Sequence, residues 1–240
     1  WTDILNNGYG SDRFYDTAYD SAGNIVAAGY VTGPPQHGLN GYVAKFDPTG
    51  KQILWSDQLD SGANPSPANT NDQFFGVAVD SKDRVLVTGV TSSPQRIVTR
   101  QYSTTGTLRW ERFFAEEMQN SGYDVAVDTQ DNVYVAGTVF TSNAIQGQWV
   151  LLKYDSAGTL QPGFQVYFDA SAFGNINLRD VPSRLTVDKD GNVIVVGVVG
   201  VSDISTTTSE DTDLEVRKYN SAGTLLWHDT YGGAAHLLDY

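Results

Sequence analysis

VDTQDNVYVAG, residues 127–137, decides the fold of this chain, because the same shape returns three more times. It reads YDSAGNIVAAG at 19–29, VDSKDRVLVTG at 79–89 and VDKDGNVIVVG at 187–197. The anchors are Asp20, Asp80, Asp128 and Asp188 at one end and Gly29, Gly89, Gly137 and Gly197 at the other. Both series step by 60, 48 and 60 residues, so the segment between Asp and Gly is a fixed unit while the chain between units varies. Each unit begins with turn residues and runs into a β-branched, apolar stretch, which is the pattern of a strand leaving a tight turn.

A second element follows each first one. It reads VAKFDPTGKQILW at 43–55, TRQYSTTGTLRW at 99–110, LLKYDSAGTLQPGF at 151–164 and VRKYNSAGTLLW at 216–227. An aromatic stands four residues before the turn Gly each time, at Phe46, Tyr102, Tyr154 and Tyr219, and Trp closes three of the four. The unit therefore holds four short strands. Strand a is the VAVD-type run, strand b the NVYVAG-type run, strand c the VAKF/LLKY run, and strand d carries the Trp. Strands a and b read as continuously apolar inner strands, whereas Tyr42, Ala44 and Phe46 alternate along strand c. The D-x-x-G turns, such as 47–50 and 155–158, predict hairpins with a left-handed Gly. No segment has helical periodicity.

Four antiparallel strands recurring about every 50 residues predict an all-β fold, a β-propeller of tandem four-stranded antiparallel blades. Such a unit cannot bury its faces alone and stacks on a neighbour. The reading gives four full repeats, about 12–60, 72–115, 120–169 and 180–232, with partial blades at both ends, strands 1–8 and 236–240. WTDILNNGYG at 1–10 resembles the d-strand end WHDTYGG at 227–233, and the spare d and a pieces predict that residues 1–240 belong to a longer array. On this reading Trp55, Trp110 and Trp227 occupy equivalent outer-strand sites, buried between blades.

The run D-x-x-G-N-V-Y-V-A-G-T followed by L-L-K-Y-D-S-A-G-T-L resembles the bacterial β-propeller repeat called SBBP, over nearly the whole chain. Propellers of the NHL type share the D-x-x-G-N turn and are the nearest alternative. The resemblance implies a large secreted or surface-attached bacterial protein and implies no particular activity, so the expected location is extracellular or on the cell surface.

Composition narrows the function further. The net charge of −13 and pI near 4.4 exclude a nucleic-acid surface, which needs clustered Lys and Arg. They equally oppose docking on anionic lipid, and no apolar run is long enough for membrane insertion. The absence of Cys removes disulfides, zinc thiolates and cysteine nucleophiles together. His37, His228 and His236 stand at unrelated repeat positions, and no hydrolase, metalloprotease or phosphate-loop motif occurs. No cofactor is expected. The expected partners are a protein or carbohydrate surface, with neighbouring domains or subunits covering the ends.

The candidate ligand-binding residues lie eight before each Asp anchor: Asp12, Asp72, Asn120 and Asp180. In equivalent blades they would form a ring where strand a enters the central channel. Otherwise each caps its own d–a turn by accepting backbone N–H groups. Asp188, Asp190, Gly191 and Asn192 look like the start of a calcium loop but lack its closing Glu, so they read as a hairpin turn. Residues 202–213 carry four carboxylates on a Ser/Thr-rich loop and form a weak cation candidate. The leading expectation is a non-catalytic scaffold or interaction module. The alternatives are a propeller glycoside hydrolase or lyase using channel-mouth carboxylates, and a lectin-like carbohydrate binder using loop aromatics.

Overall fold

The computed structural model describes residues 9–34, 38–62, 70–92, 94–114, 118–140, 147–168, 180–200 and 212–232. The chain divides into two compact units, Trp1–Ala115 and Glu116–Tyr240. In the first unit, β1 (Arg13–Tyr19), β2 (Ile25–Thr32), β3 (Gly38–Phe46) and β4 (Ile53–Leu59) form one antiparallel meander. The short β5 (Thr70–Asn71) pairs parallel to β3. Then β6 (Gln73–Val79), β7 (Val85–Ser92), β8 (Gln95–Tyr102) and β9 (Leu108–Phe114) form the second meander. The second unit repeats the plan. Its first sheet is β10 (Met118–Val127), β11 (Val133–Phe140), β12 (Gly147–Tyr154) and β13 (Val166–Phe168), with a 3-10 turn at Pro162–Phe164. Its second is β14 (Val181–Val187), β15 (Val193–Gly200), β16 (Thr212–Tyr219) and β17 (Leu225–Tyr231). We call these sheets blades 1 to 4, each with strands a to d in order. The end pieces 1–8 and 236–240 lie outside the described residues.

Strand order a-b-c-d puts b and c in the middle, and the burial follows that order. β7 is buried at every position except its last residue, and β3 at all but its first two. β1 and β6 are edge strands and only partly covered, so strand a is not the doubly buried inner strand its apolar sequence predicts. A strand paired on one side only keeps one edge open to water, which its apolar residues cannot prevent.

The eight a–b and c–d turns share one construction. The first turn residue is Asp, Asn or Ser, and in seven of them its side-chain oxygen accepts the N–H groups two and four residues on. Asp20 does this with Ala22 and Asn24, Asp155 with Ala157 and Thr159, and Ser103 with Thr105 and Thr107. Asp47 instead accepts those of Lys51 and Gln52 and the hydroxyl of Thr49. The fourth residue is left-handed, at φ 79° for Gly23 and 68° for Gly50. Two turns depart from the expected Gly and use Asp83 (φ 56°) and Asp131 (φ 63°), a conformation that Asp tolerates better than most side chains.

Within each unit the two blades pack face to face. The first core joins Val26, Val43 and Leu59 of blade 1 to Phe74, Val87 and Tyr102 of blade 2. The second joins Trp149, Leu151 and Phe164 of blade 3 to Leu185, Val195 and Tyr219 of blade 4. Trp110 is buried and Trp55 partly so, as the repeat predicts, but Trp227 is 47% exposed. The three stand in the same register, opposite Lys45, Gln101 and Lys218. Position in the strand is thus repeated, while burial is not.

Candidate functional site

The four predicted ligand residues act on their own blades in one way. Asp12 Oδ1 accepts the N–H of Thr32 at 2.9 Å, and Asp72 Oδ1 accepts that of Ser92 at 2.8 Å. Asn120 Oδ1 accepts the N–H of Phe140 at 3.2 Å, and Asp180 Oδ1 that of Gly200 at 2.9 Å. Each donor is the last residue of strand b, so each side chain fastens the entry of strand a to the exit of strand b. Asp72 also takes the N–H and hydroxyl of Ser61 in the d–a connection, at 2.6 and 2.8 Å. Asp72, Asn120 and Asp180 are buried, and Asp12 is half-buried.

This geometry orders the consequences of removal. Asp72→Ala deletes three hydrogen bonds and strands two partly buried N–H groups, so a loss of about 3 kcal/mol is expected in urea unfolding. Asp12→Ala loses one bond at a partly solvated site and costs about 1 kcal/mol. Equal losses at the two positions would contradict this assignment.

The Asp anchors are equally committed. Asp188 Oδ1 accepts the N–H groups of Asp190 and Asn192, while Oδ2 faces the ammonium of Lys218 at 2.8 Å. The calcium-like run is therefore a hairpin turn closed by a lysine. Asp20 is the same device in blade 1, with Lys45 Nζ at 2.6 Å. Burial would raise the Asp20 carboxyl, but the bonds from Lys45 and Asn24 outweigh it and bring it from 3.8 to about 2. The Lys218 bond holds Asp188 well below the usual carboxylate range too. Both folded-state values are depressed, so this stability is fully present above about pH 4 and is lost as pH falls toward 2. Asp20 alone contributes about 2 kcal/mol to that loss. Urea unfolding of Asp20→Asn should show a flattened dependence between pH 4 and 2; an unchanged slope would refute the assignment.

Two ionic groups, each built on a largely buried arginine, do not show in the repeat. In blade 2, Arg100 Nε and Nη2 both reach Glu111 Oε1 at 2.6 Å, and Nη1 reaches Asp57 of blade 1 at 3.1 Å. The Tyr102 hydroxyl donates to the same Asp57 oxygen at 2.8 Å, and burial, reinforced by Asp57, raises its pKa. In blade 4, Arg217 bonds Glu215 at 2.8 Å and the Tyr219 hydroxyl at 2.8 Å, and lies 3.5 Å over the Phe168 ring of blade 3. The signal was the Arg-x-Tyr of TRQY and VRKY, absent from strand c of blades 1 and 3. A second set, Asp16 and Asp124, crosses the blade joints: each accepts a main-chain N–H from strand a of the next blade, Val77 at 2.9 Å and Leu185 at 2.7 Å.

Asp57, Glu111 and Glu215 each pair with a guanidinium, and Asp16 and Asp124 accept main-chain N–H groups of the next blade. Among the described residues no three His, Asp or Glu side chains converge as a metal site. Residues 201–211 of the acidic loop lie outside the described residues.

No protein-family model matches the chain, and no curated protein matches it. Solved structures do. An exo-β-1,3-galactanase from Clostridium thermocellum aligns at TM-score 0.50 and 12% identity over 87% of this chain and 47% of its own. A thermostable family-43 glycoside hydrolase aligns at TM-score 0.51 and 11% identity, covering 93% of this chain and 73% of its own. A protein from Lactobacillus plantarum aligns at TM-score 0.53 and 12% identity, covering 93% and 72%. The chain thus spans about half the length of the galactanase and nearly three quarters of the other two. Such neighbours are β-propeller proteins, and with four four-stranded antiparallel sheets this chain has the propeller fold.

Proposed function

We propose that this chain is a non-catalytic scaffold or interaction module of a secreted or surface-attached bacterial protein, built from SBBP-type repeats. The observation that carries the reading is the engagement of the repeated polar side chains. Asp12, Asp72, Asn120 and Asp180 fasten strands, and Asp57 and Glu111 share one arginine. A glycosidase needs one carboxyl protonated and one free, set across the scissile bond. The acidic surface supports protein or carbohydrate partners rather than nucleic acid or membranes.

The test is hydrolysis. The purified chain is incubated with β-1,3-galactan, and reducing ends are counted. No release above the heat-denatured control is expected. Release that disappears in Asp57→Asn or Glu111→Gln, with the melting transition retained, would overturn the proposal in favour of a propeller hydrolase.

A further inference from the structure

The joint between blades 1 and 2 shows what one blade requires of the next. On blade 1, Trp55, Asp57 and Leu59 project from strand d toward blade 2. The Trp55 ring lies 5.5 Å from that of Tyr102, and its Nε1 donates to the Thr104 carbonyl at 3.1 Å. Lys45 Nζ points to the same carbonyl at 3.4 Å. Gly106 lets the indole approach, since a Cβ there would come within 2.7 Å of it. Asp57 receives Arg100 and Tyr102. The joint between blades 3 and 4 keeps the lysine, since Lys153 Nζ donates to the Ser221 carbonyl at 3.1 Å, but Val166 stands at the Asp57 position and Arg217 lies over Phe168 instead of meeting a carboxylate across the joint.

Blade 4 carries the giving half of the first joint again. In the same strand register, Trp227, Asp229 and Tyr231 stand where Trp55, Asp57 and Leu59 stand. Lys218, bound to Asp188, repeats Lys45, bound to Asp20. The difference is cover. The Lys45–Asp20 pair is 4% and 3% exposed and the Lys218–Asp188 pair 21% and 24%; all seven residues of β17 are exposed.

We infer that this face of blade 4 is a docking surface for another four-stranded blade whose third strand reads Arg-x-Tyr and whose following turn carries Gly at its fourth position. The chemistry is complementary at each point. The tyrosine ring stacks on Trp227, the turn carbonyl accepts from Trp227 and Lys218, and the guanidinium and hydroxyl meet the Asp229 carboxylate. The occupant is not a second copy of this chain. Both of its Arg-x-Tyr pairs, Arg100 with Tyr102 and Arg217 with Tyr219, are engaged inside their own units. The inference stands apart from the proposed function, since a catalytic propeller would carry the same joint.

The experiment extends the full chain after Tyr240 with a second copy of residues 60–114, the connection and blade that follow blade 1. Acrylamide quenching of Trp227 is read by difference against Trp227→Phe. The extension is expected to abolish most of that quenching and to protect the amides of the added blade from exchange. Asp229→Ala should restore quenching in the extended chain, as should Arg→Ala at the Arg100 position of the added copy, and the double variant should add nothing further. Asp229→Ala in the unextended chain should leave its melting curve unchanged. Unchanged quenching, an added blade that exchanges like an unfolded peptide, or strictly additive variants would overturn the inference. Light scattering of the unextended chain showing a dimer that Trp227→Ala dissolves would overturn it in favour of self-pairing.

Discussion

Trp149→Ala lowers the unfolding free energy of the chain by about 4 kcal/mol. Trp149 lies on strand c of blade 3 and is 1% exposed, the bulkiest of the fully buried side chains among the described residues. Its ring meets Phe168 edge-on at 5.6 Å and 81°. Its Nε1 donates to the Val198 carbonyl of blade 4 at 3.3 Å, and its six-membered ring passes close over Gly197. Alanine would leave an indole-sized void between two sheets whose main chains are tied into ladders and cannot collapse into it. Part of the cost is the Val198 carbonyl losing its donor. Trp149→Phe keeps most of the volume and should lose about half as much. Urea unfolding of the full chain with both variants checks this, and a loss below about 1 kcal/mol for alanine would show that the site is not core.

Gly89→Ala should be at least as damaging, above about 4 kcal/mol, for a different reason. Gly89 is the closing glycine of the repeat in blade 2, on β7 opposite Phe74. The pairing of β6 with β7 shifts register between Phe74 and Gly76, and this bulge drives the main chain of β6 into the space where a Cβ would stand. A methyl at Gly89 would overlap the Gln73 carbonyl oxygen and press on the Phe74 Cα. Both obstacles are backbone, so no rotamer change relieves them. Relief requires opening the β6–β7 ladder, which would expose Phe74, now fully buried. The expected result is a protein that fails to show a cooperative melt at room temperature. A melting temperature within a few degrees of the parent would remove the bulge argument, and with it the same expectation at Gly29 and Gly197, where the Arg13 and Val181 carbonyls stand in the way.

Both variants bear on what could be read before the fold was known. Gly89 was visible as an anchor, because a turn and a strand with fixed spacing cannot move their glycine. The reason for that glycine, an opposing bulge, was not visible. Trp149 was not marked by the repeat at all, since its equivalents along strand c are Gly41 in blade 1, Ile97 in blade 2 and Leu214 in blade 4. Only the stacking of blade 4 on blade 3 makes room for an indole there and gives its N–H a carbonyl. The same limit applied to Arg100 and Arg217. A single arginine before a tyrosine is unremarkable in a sequence, and its partners Asp57 and Phe168 lie 43 and 49 residues away.

What the sequence by itself determined is local: the eight turns, the strands they separate and the four-strand unit. An Asx side chain closing a turn needs only the residues two and four places on, so its chemistry is complete within five positions. The sequence also singled out Asp12, Asp72, Asn120 and Asp180 as equivalent. Only the tertiary structure decided their partners, because the end of strand b comes beside the start of strand a only when the sheet has formed. It alone decided that Asp16 and Asp124 cross to the next blade, and that Trp55 is covered while Trp227 is open. Those outcomes depend on which sheet lies against which, and side-chain burial is a property of that packing rather than of the repeat.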